Sequence, residues 1–266
     1  MPRFAANLSM MFTERPFLER FGAAAAAGFR AVEYLFPYAD EAAAIRAELD
    51  RHGLEQALYN SPPGDWDAGQ RGFAAVPGAE ERFAEDLERA LAYAAVIRPR
   101  NIHIMAGIVQ GPAARATYIA NLRRAATRAP EQGFVIEPIN HWDMPGYHLS
   151  RTDDARGVIA EVGAPNLRLQ LDLYHAQIME GDLTRRIEAL APITAHVQMA
   201  GVPLRHEPDA GEANFPHLMA TLDRTGYTGF VGCEYRPAAG TEAGLGWFAP
   251  YRDAQAPGAA NPEGQA

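Results

Sequence analysis

Cysteine is almost absent: Cys233 is the single one in 266 residues. One thiol can neither close an intramolecular disulfide nor build a multi-cysteine zinc site, and it suits a reducing compartment, so a cytoplasmic protein is expected. No stretch approaches the ~20 consecutive apolar residues of a membrane helix. The opening run MPRFAANLSMMFTERPF reaches Glu14 before an export signal's apolar segment is long enough, so no export is expected. Positive charge is in deficit, 24 Lys and Arg against 33 Asp and Glu for a net −9, and no basic stripe follows a phosphate backbone. Nucleic acid and membranes are therefore not expected partners. A Walker-type phosphate loop, a GxGxxG following a strand and a GxSxG elbow are also missing, which argues against P-loop, Rossmann and serine-hydrolase chemistry.

What is present is ordinary globular material, 48% hydrophobic and 21% charged, in a length close to the ~250 residues of one (β/α)8 barrel. Short β-rich runs alternate with longer alanine-, leucine- and arginine-rich stretches of helical period, the pattern of repeated βα units around a parallel sheet. Eight strands are predicted, at 4–9, 31–36, 55–60, 101–106, 133–137, 168–173, 195–199 and 229–234. Helices are predicted at 16–27, 40–52, 78–97 and 113–128 among others, with Thr13, Asp40 and Thr152 as N-caps and Gly28 and Gly53 as C-terminal stops. The barrel is expected to cover 1–252. Residues 60–77 (NSPPGDWDAGQRGFAAVP) read as a long loop on the active-site side, and 253–266 as a flexible tail without large apolar residues.

Side chains at the carboxyl ends of barrel strands converge on one face, so the residues that end each strand matter most. FVIE ends in Glu137, LQLD in Asp172 and VGCE in Glu234, while HVQ brings Gln198. Three carboxylates meeting in one apolar mouth repel unless a cation sits between them. An all-oxygen set suits a hard ion, Mg2+ or Mn2+, better than zinc or copper. For any one of these acids, capping a helix or pairing with an arginine is an equal alternative. Four on consecutive strands favour metal.

Around this set, His175 lies three residues past Asp172, where it can fold back over a substrate and hydrogen-bond to it. Arg205 in the seventh loop can clamp a carboxylate, with His206 beside it. Trp66 and Arg71 of the third loop can close over the site as an apolar cover and an anion contact. Glu33, His103 and His196 lie within strands and read as an inward polar layer or satisfied core histidines rather than ligands. Cys233 should point away from Glu234 into the core.

At these residues the chain resembles the hydroxypyruvate isomerases within the xylose isomerase-like barrels. The carriers are FAANLSMMFTERPFLERF, GFRAVEYLFPY, SPPGDWDAGQRG, IEPIN, LDLYHAQIMEGD, HVQMAG, RHEP, and GCEYRP followed by TEAGLGW, in order up to about Tyr251. The seventh loop departs from the family's usual pattern at Gly201, Leu204 and Asp209–Ala210. The resemblance implies a xylose isomerase-like (β/α)8 barrel in which Glu137 and Glu234 are the catalytic acid/base pair and Glu137, Asp172, Gln198 and Glu234 hold the divalent ion. The implied substrate is a small 2-oxo or 2-hydroxy acid, with hydroxypyruvate first. A 2-oxo-tetronate isomerase, a ketose 3-epimerase and a non-enzymatic sugar-acid-binding barrel are the alternatives. A homodimer or higher homo-oligomer is also implied.

Overall fold

Residues 1–254 are described by the structure, a computed structural model. Eight strands, β1 (Arg3–Asn7), β2 (Ala31–Tyr34), β3 (Glu55–Asn60), β4 (Asn101–His103), β5 (Gly133–Ile136), β6 (Leu167–Asp172), β7 (Thr194–Met199) and β8 (Phe230–Cys233), pair in chain order and all in parallel. β8 pairs back onto β1, with Phe4 opposite Val231 and Ala6 opposite Cys233, which closes the barrel. Each predicted strand coincides with an observed one, differing by a residue or more at some ends.

Helices α1 (Phe17–Ala26), α2 (Ala42–His52), α3 (Glu80–Ile97), α4 (Pro112–Arg128), α5 (Thr152–Val162), α6 (Leu173–Met179), α7 (Leu183–Leu190), α8 (Phe215–Arg224) and α9 (Ala249–Ala254) follow the strands. The longer ones carry an apolar stripe. On α3, Phe83, Leu87, Ala90, Ala94 and Ile97 recur at helical spacing and are the buried face against the sheet. None of the described helices is long and apolar enough to cross a membrane. α9 continues two residues past the expected start of the tail, and 255–266 lie outside the described residues.

The predicted stops hold: Gly53 ends α2 in the left-handed region (φ 62°), and Gly28 follows α1 with φ 102°. The predicted N-caps do not. Pro16, Glu41 and Arg151 occupy those positions, with no side-chain cap bond. Thr152 is instead the first helical residue, and its hydroxyl is taken by Arg186 at 2.8 Å. A tertiary partner outcompeted the local one.

Because side chains alternate along a strand, each strand sends every second residue into the barrel. Small and aromatic groups, Ala5, Ala31, Ala57 and Phe230, pack together toward the amino-terminal end. Above them the interior turns polar: Glu33, His103, Gln170 and His196 are all buried. One step further along, Asn7, Glu137, Asp172, Gln198 and Glu234 form the layer beneath the mouth. The strand registers set this order, with Asp172 opposite Gln198 and Gln198 opposite Gly232.

Candidate active site

Glu137 and Glu234 each stand one residue past a strand end, while Asp172 ends β6 and begins α6 directly. Asp172 divides its carboxylate between two tasks. Oδ1 caps α6 by accepting the Tyr174 N–H at 2.7 Å, and Oδ2 is left for the site. The abrupt strand-to-helix switch also brings His175 one turn above Asp172, with its Nε2 3.5 Å from Asp172 Oδ2 and 3.6 Å from Glu137 Oε1. One ligand atom from each of Glu137, Asp172, His175 and Glu234 falls within 4.8 Å of the others. Three carboxylates from three strands thus converge, as the strand ends suggested, and an imidazole joins them.

The electrostatics of this cluster are unsettled in the protein alone. Burial, then the charges of Glu234 and Asp172, push the Glu137 carboxyl well above the ordinary range. Burial raises Glu234 to about 8 and Asp172 to about 6, with Arg205 opposing in both cases. Glu137 Oε1 and Asp172 Oδ2 are buried without a hydrogen-bond partner. Unpartnered carboxylate oxygens turned toward one another are costly as anions and fit a hard divalent cation placed among them.

Arg205 crosses the cluster on a left-handed backbone (φ 56°), an uncommon conformation for a residue with a Cβ. Its guanidinium bonds Glu234 Oε2 at 2.6 Å, lies 3.8 Å from Asp172 and 3.6 Å from Asp143, and sits 4.8 Å from the Tyr174 ring centroid. Gln198 is buried just below the mouth. Its amide nitrogen donates to Glu33 Oε1 at 2.8 Å and its oxygen accepts from Gln170 at 2.5 Å.

A cavity of about 480 Å3 opens above the cluster, walled by Glu137, His175, Arg205 and Glu234 together with Trp66, Phe36, Met105 and Tyr174. Trp66 therefore stands where a cover is expected, packed on Phe36. Arg71 and His206 are not in that wall. Arg71 stacks on Trp66 (3.6 Å to the centroid) and donates to the Trp66 and Gln70 carbonyls, which braces the loop. His206 places Nδ1 2.8 Å from the Arg236 carbonyl and ties the seventh loop to the eighth. Four residues that sequence reasoning passed over also belong to the site: Asn140, Asp143, Tyr174 and Arg236. Arg236 could have been suspected, two residues past Glu234 in GCEYRP, and Tyr174 lies beside His175 at the start of α6; Asn140 and Asp143 sit in a segment without strand or helix period to flag them.

The two strand histidines split. His196 Nε2 lies 2.6 Å from Glu33 Oε2, a satisfied pair in the barrel interior as expected. His103 has no hydrogen-bond partner on either ring nitrogen, although its Nδ1 approaches Glu137 Oε2 at 3.4 Å. Burial pushes its pKa down to about 3, so the ring is neutral. Cys233 is buried and engaged only with the Val231 carbonyl among the described residues, and burial raises its thiol well above the usual range, which leaves no nucleophile there.

The pattern of the family described as xylose isomerase-like TIM barrel matches residues 21–251. The chain belongs to that family. Within it, the 2-oxo-tetronate isomerase of Cupriavidus necator is 56% identical over 94% of this chain and 99% of its own length. The hydroxypyruvate isomerase of Escherichia coli is 44% identical over 95% of this chain and all of its own length. A crystal structure from Brucella melitensis, called an AP endonuclease of family 2, superposes with a TM-score of 0.93 at 53% identity, covering 95% of this chain and 100% of that one. More distant xylose isomerase-like barrels, sugar 3-epimerases at 18–19% identity among them, share the fold.

Proposed function

We propose that the chain is an aldose–ketose type isomerase that interconverts hydroxypyruvate and 2-hydroxy-3-oxopropanoate by moving one proton between adjacent carbons. The observation that carries this reading is the pair Glu137 and Glu234, buried in one carboxylate cluster and both lining the same cavity. A carboxyl group raised above its ordinary range by burial, as both are, holds a proton that it can exchange at working pH, which is what a general acid/base needs. One glutamate removes the proton from the carbon bearing the hydroxyl, the hydroxyl proton passes to the former carbonyl oxygen, and the other glutamate delivers a proton to the former carbonyl carbon.

Glu137, Asp172 and Glu234 are the residues that would hold a divalent cation, Mg2+ or Mn2+; Gln198, whose oxygen is engaged with Gln170, would join as a fourth oxygen donor only by turning its amide toward the ion. When bound, such an ion acidifies the C–H beside a carbonyl and offsets the negative charge that deprotonation leaves on the substrate oxygens. Arg205 is already shared among Glu234, Asp172 and Asp143, so it holds the cluster together as much as it meets a substrate. Arg236, exposed on the cavity wall with no carboxylate partner among the described residues, is the guanidinium placed to take the substrate carboxylate. Trp66, Phe36 and Met105 give the apolar wall that keeps bulk water from the reacting carbons.

A four-carbon substrate is the second reading, supported by the 56% identity to a 2-oxo-tetronate isomerase and by a cavity, at about 480 Å3, roomier than a three-carbon acid requires. Cleavage of abasic DNA has less support: it asks for a histidine-rich multi-metal mouth and a basic surface, whereas this cluster is three carboxylates to one imidazole on a chain of net charge −9. The deciding assay follows hydroxypyruvate and 2-oxo-tetronate separately, with Mn2+ and with chelator. Turnover of at least one acid that chelator abolishes is expected. A metal-loaded protein that converts neither sinks the isomerase reading.

A further inference from the structure

Asn140 is fully buried and makes four polar contacts. Its Oδ1 accepts the backbone N–H groups of Trp142 at 3.0 Å and Asp143 at 2.9 Å. Its Nδ2 lies 3.1 Å from Asp143 Oδ2 and 2.7 Å from His175 Nδ1. Only one orientation of the amide satisfies this arrangement. Reversed, the oxygen would face the Asp143 carboxylate and the NH2 would face two N–H donors, three repulsive contacts in place of three bonds. With the amide so fixed, one of its protons goes to Asp143 and the other points at His175 Nδ1. That ring nitrogen must therefore offer a lone pair, and the single proton of the neutral ring sits on Nε2.

We propose that Asn140 is a positioning residue that locks His175 as its Nε2–H tautomer, so that the imidazole enters the site as a hydrogen-bond donor and not as a metal ligand. The four-residue cluster then divides. Glu137, Asp172 and Glu234 present lone pairs, while His175 presents a proton, aimed between the Glu137 and Asp172 oxygens that lack any other partner. A cation in this cluster meets oxygen donors only, which keeps it hard, and His175, being in the cavity wall, keeps a donor for a substrate oxygen on which charge develops. The catalytic part of this role rests on the isomerase reading; the tautomer does not.

The test is the ring-nitrogen spectrum of 15N-labelled, metal-free protein, with the His175 signals assigned by their loss in His175→Gln. A protonated Nε2 and an unprotonated Nδ1 are expected. In Asn140→Asp the residue at 140 can only accept, so the proton should move to Nδ1 and free the Nε2 lone pair for metal. Calorimetry should then show the Zn2+ to Mn2+ affinity ratio rising at least about tenfold, with kcat for isomerisation falling about 10²–10³-fold, the usual loss of one preorganised donor, and KM changing far less. A wild-type ring protonated on Nδ1 overturns the proposal by itself, even if the variant fails to fold. An unchanged tautomer or metal preference in a folded Asn140→Asp also overturns it. If wild type shows the Nε2–H ring but isomerises neither acid, the proposed reaction falls and the lock stands.

Discussion

Glu33 and Glu137 are both buried carboxylates inside one barrel, a single step apart along its axis, and they live in opposite circumstances. Glu33 is met on every side: His196 at 2.6 Å, Gln198 at 2.8 Å and Asn7 at 2.9 Å, with Gly232 leaving room for its head because a Cβ there would overlap the carboxylate. Glu137 has an oxygen with no partner and two acidic neighbours. Around Glu33 the lower layer is a closed hydrogen-bond network, while His103 and the Gln170 oxygen of the same layer have no partner. The upper layer keeps carboxylate oxygens without partners, as fits a cluster that could hold a metal ion. Asn7 joins them, donating to Glu33 at 2.9 Å and to Glu234 at 3.4 Å, so the network around Glu33 orients part of the layer above.

The largest effect should separate the two layers by function. Glu137→Gln or Glu234→Gln is expected to lose about 10²–10⁴-fold in kcat, with exchange of solvent deuterium into substrate lost and the thermal midpoint unchanged or raised, since like-charge repulsion is relieved. Deuterium exchange surviving in both variants would remove these glutamates from the chemistry. In the lower layer the expected damage is to stability. Glu33→Ala leaves His196 and two amides without their acceptor and should cost about 3–5 kcal/mol in urea unfolding, and Gly232→Ala, by crowding the same carboxylate, about 1–3 kcal/mol. A Glu33→Ala protein as stable as wild type would mean that the network is ornamental.

A smaller effect is pH dependence, and it belongs to the upper layer. Metal-free, Glu234 held up to about 8 and Asp172 to about 6 keep protons that the unfolded chain has already released. Stability therefore falls as pH rises from the ordinary carboxylate range through about 8. His175 and His103, lowered by burial, act in the other direction, but only below the ordinary histidine value of about 6.5. Between about pH 6.5 and 8 the carboxyl effect operates alone, at up to about 1.4 kcal/mol per pH unit for each proton released. Chelator-treated protein should melt lower at pH 8 than at pH 6.5, while Mn2+ affinity measured by calorimetry rises over the same interval because the ion displaces those protons. A melting point that climbs with pH would contradict the raised carboxyls. The smallest effect lies outside both layers: Glu161→Ala, which removes the exposed pair with Arg115 on α4 and α5, should change stability by less than about 0.5 kcal/mol.

Much of the site was legible because parallel strands impose a simple grammar. A largely apolar strand that ends in an acid puts that acid at the mouth, and Glu137, Asp172 and Glu234 all obey it. Arg71 and His206 were less legible, since they lie in loops whose course depends on contacts far away in sequence: Arg71 folds onto Trp66, and His206 reaches the Arg236 carbonyl. Asn140 carried no local signal at all. Its meaning lies in His175, 35 residues further along the chain. The N-caps failed for a similar reason, as with the Thr152 hydroxyl claimed by Arg186 from across a helix interface.

The order of hydrophobic and acidic residues along the chain was enough by itself to specify eight βα units and the strand-end acids, because backbone periodicity and the cost of burying charge act locally. Which nitrogen of His175 bears its proton, which carboxylate oxygens remain unpartnered and which arginine faces the cavity were decided only by the closed barrel. Those properties depend on atoms a few ångströms apart that are tens of residues distant in sequence, and the pairing of β5 through β8 brings them within reach of one another.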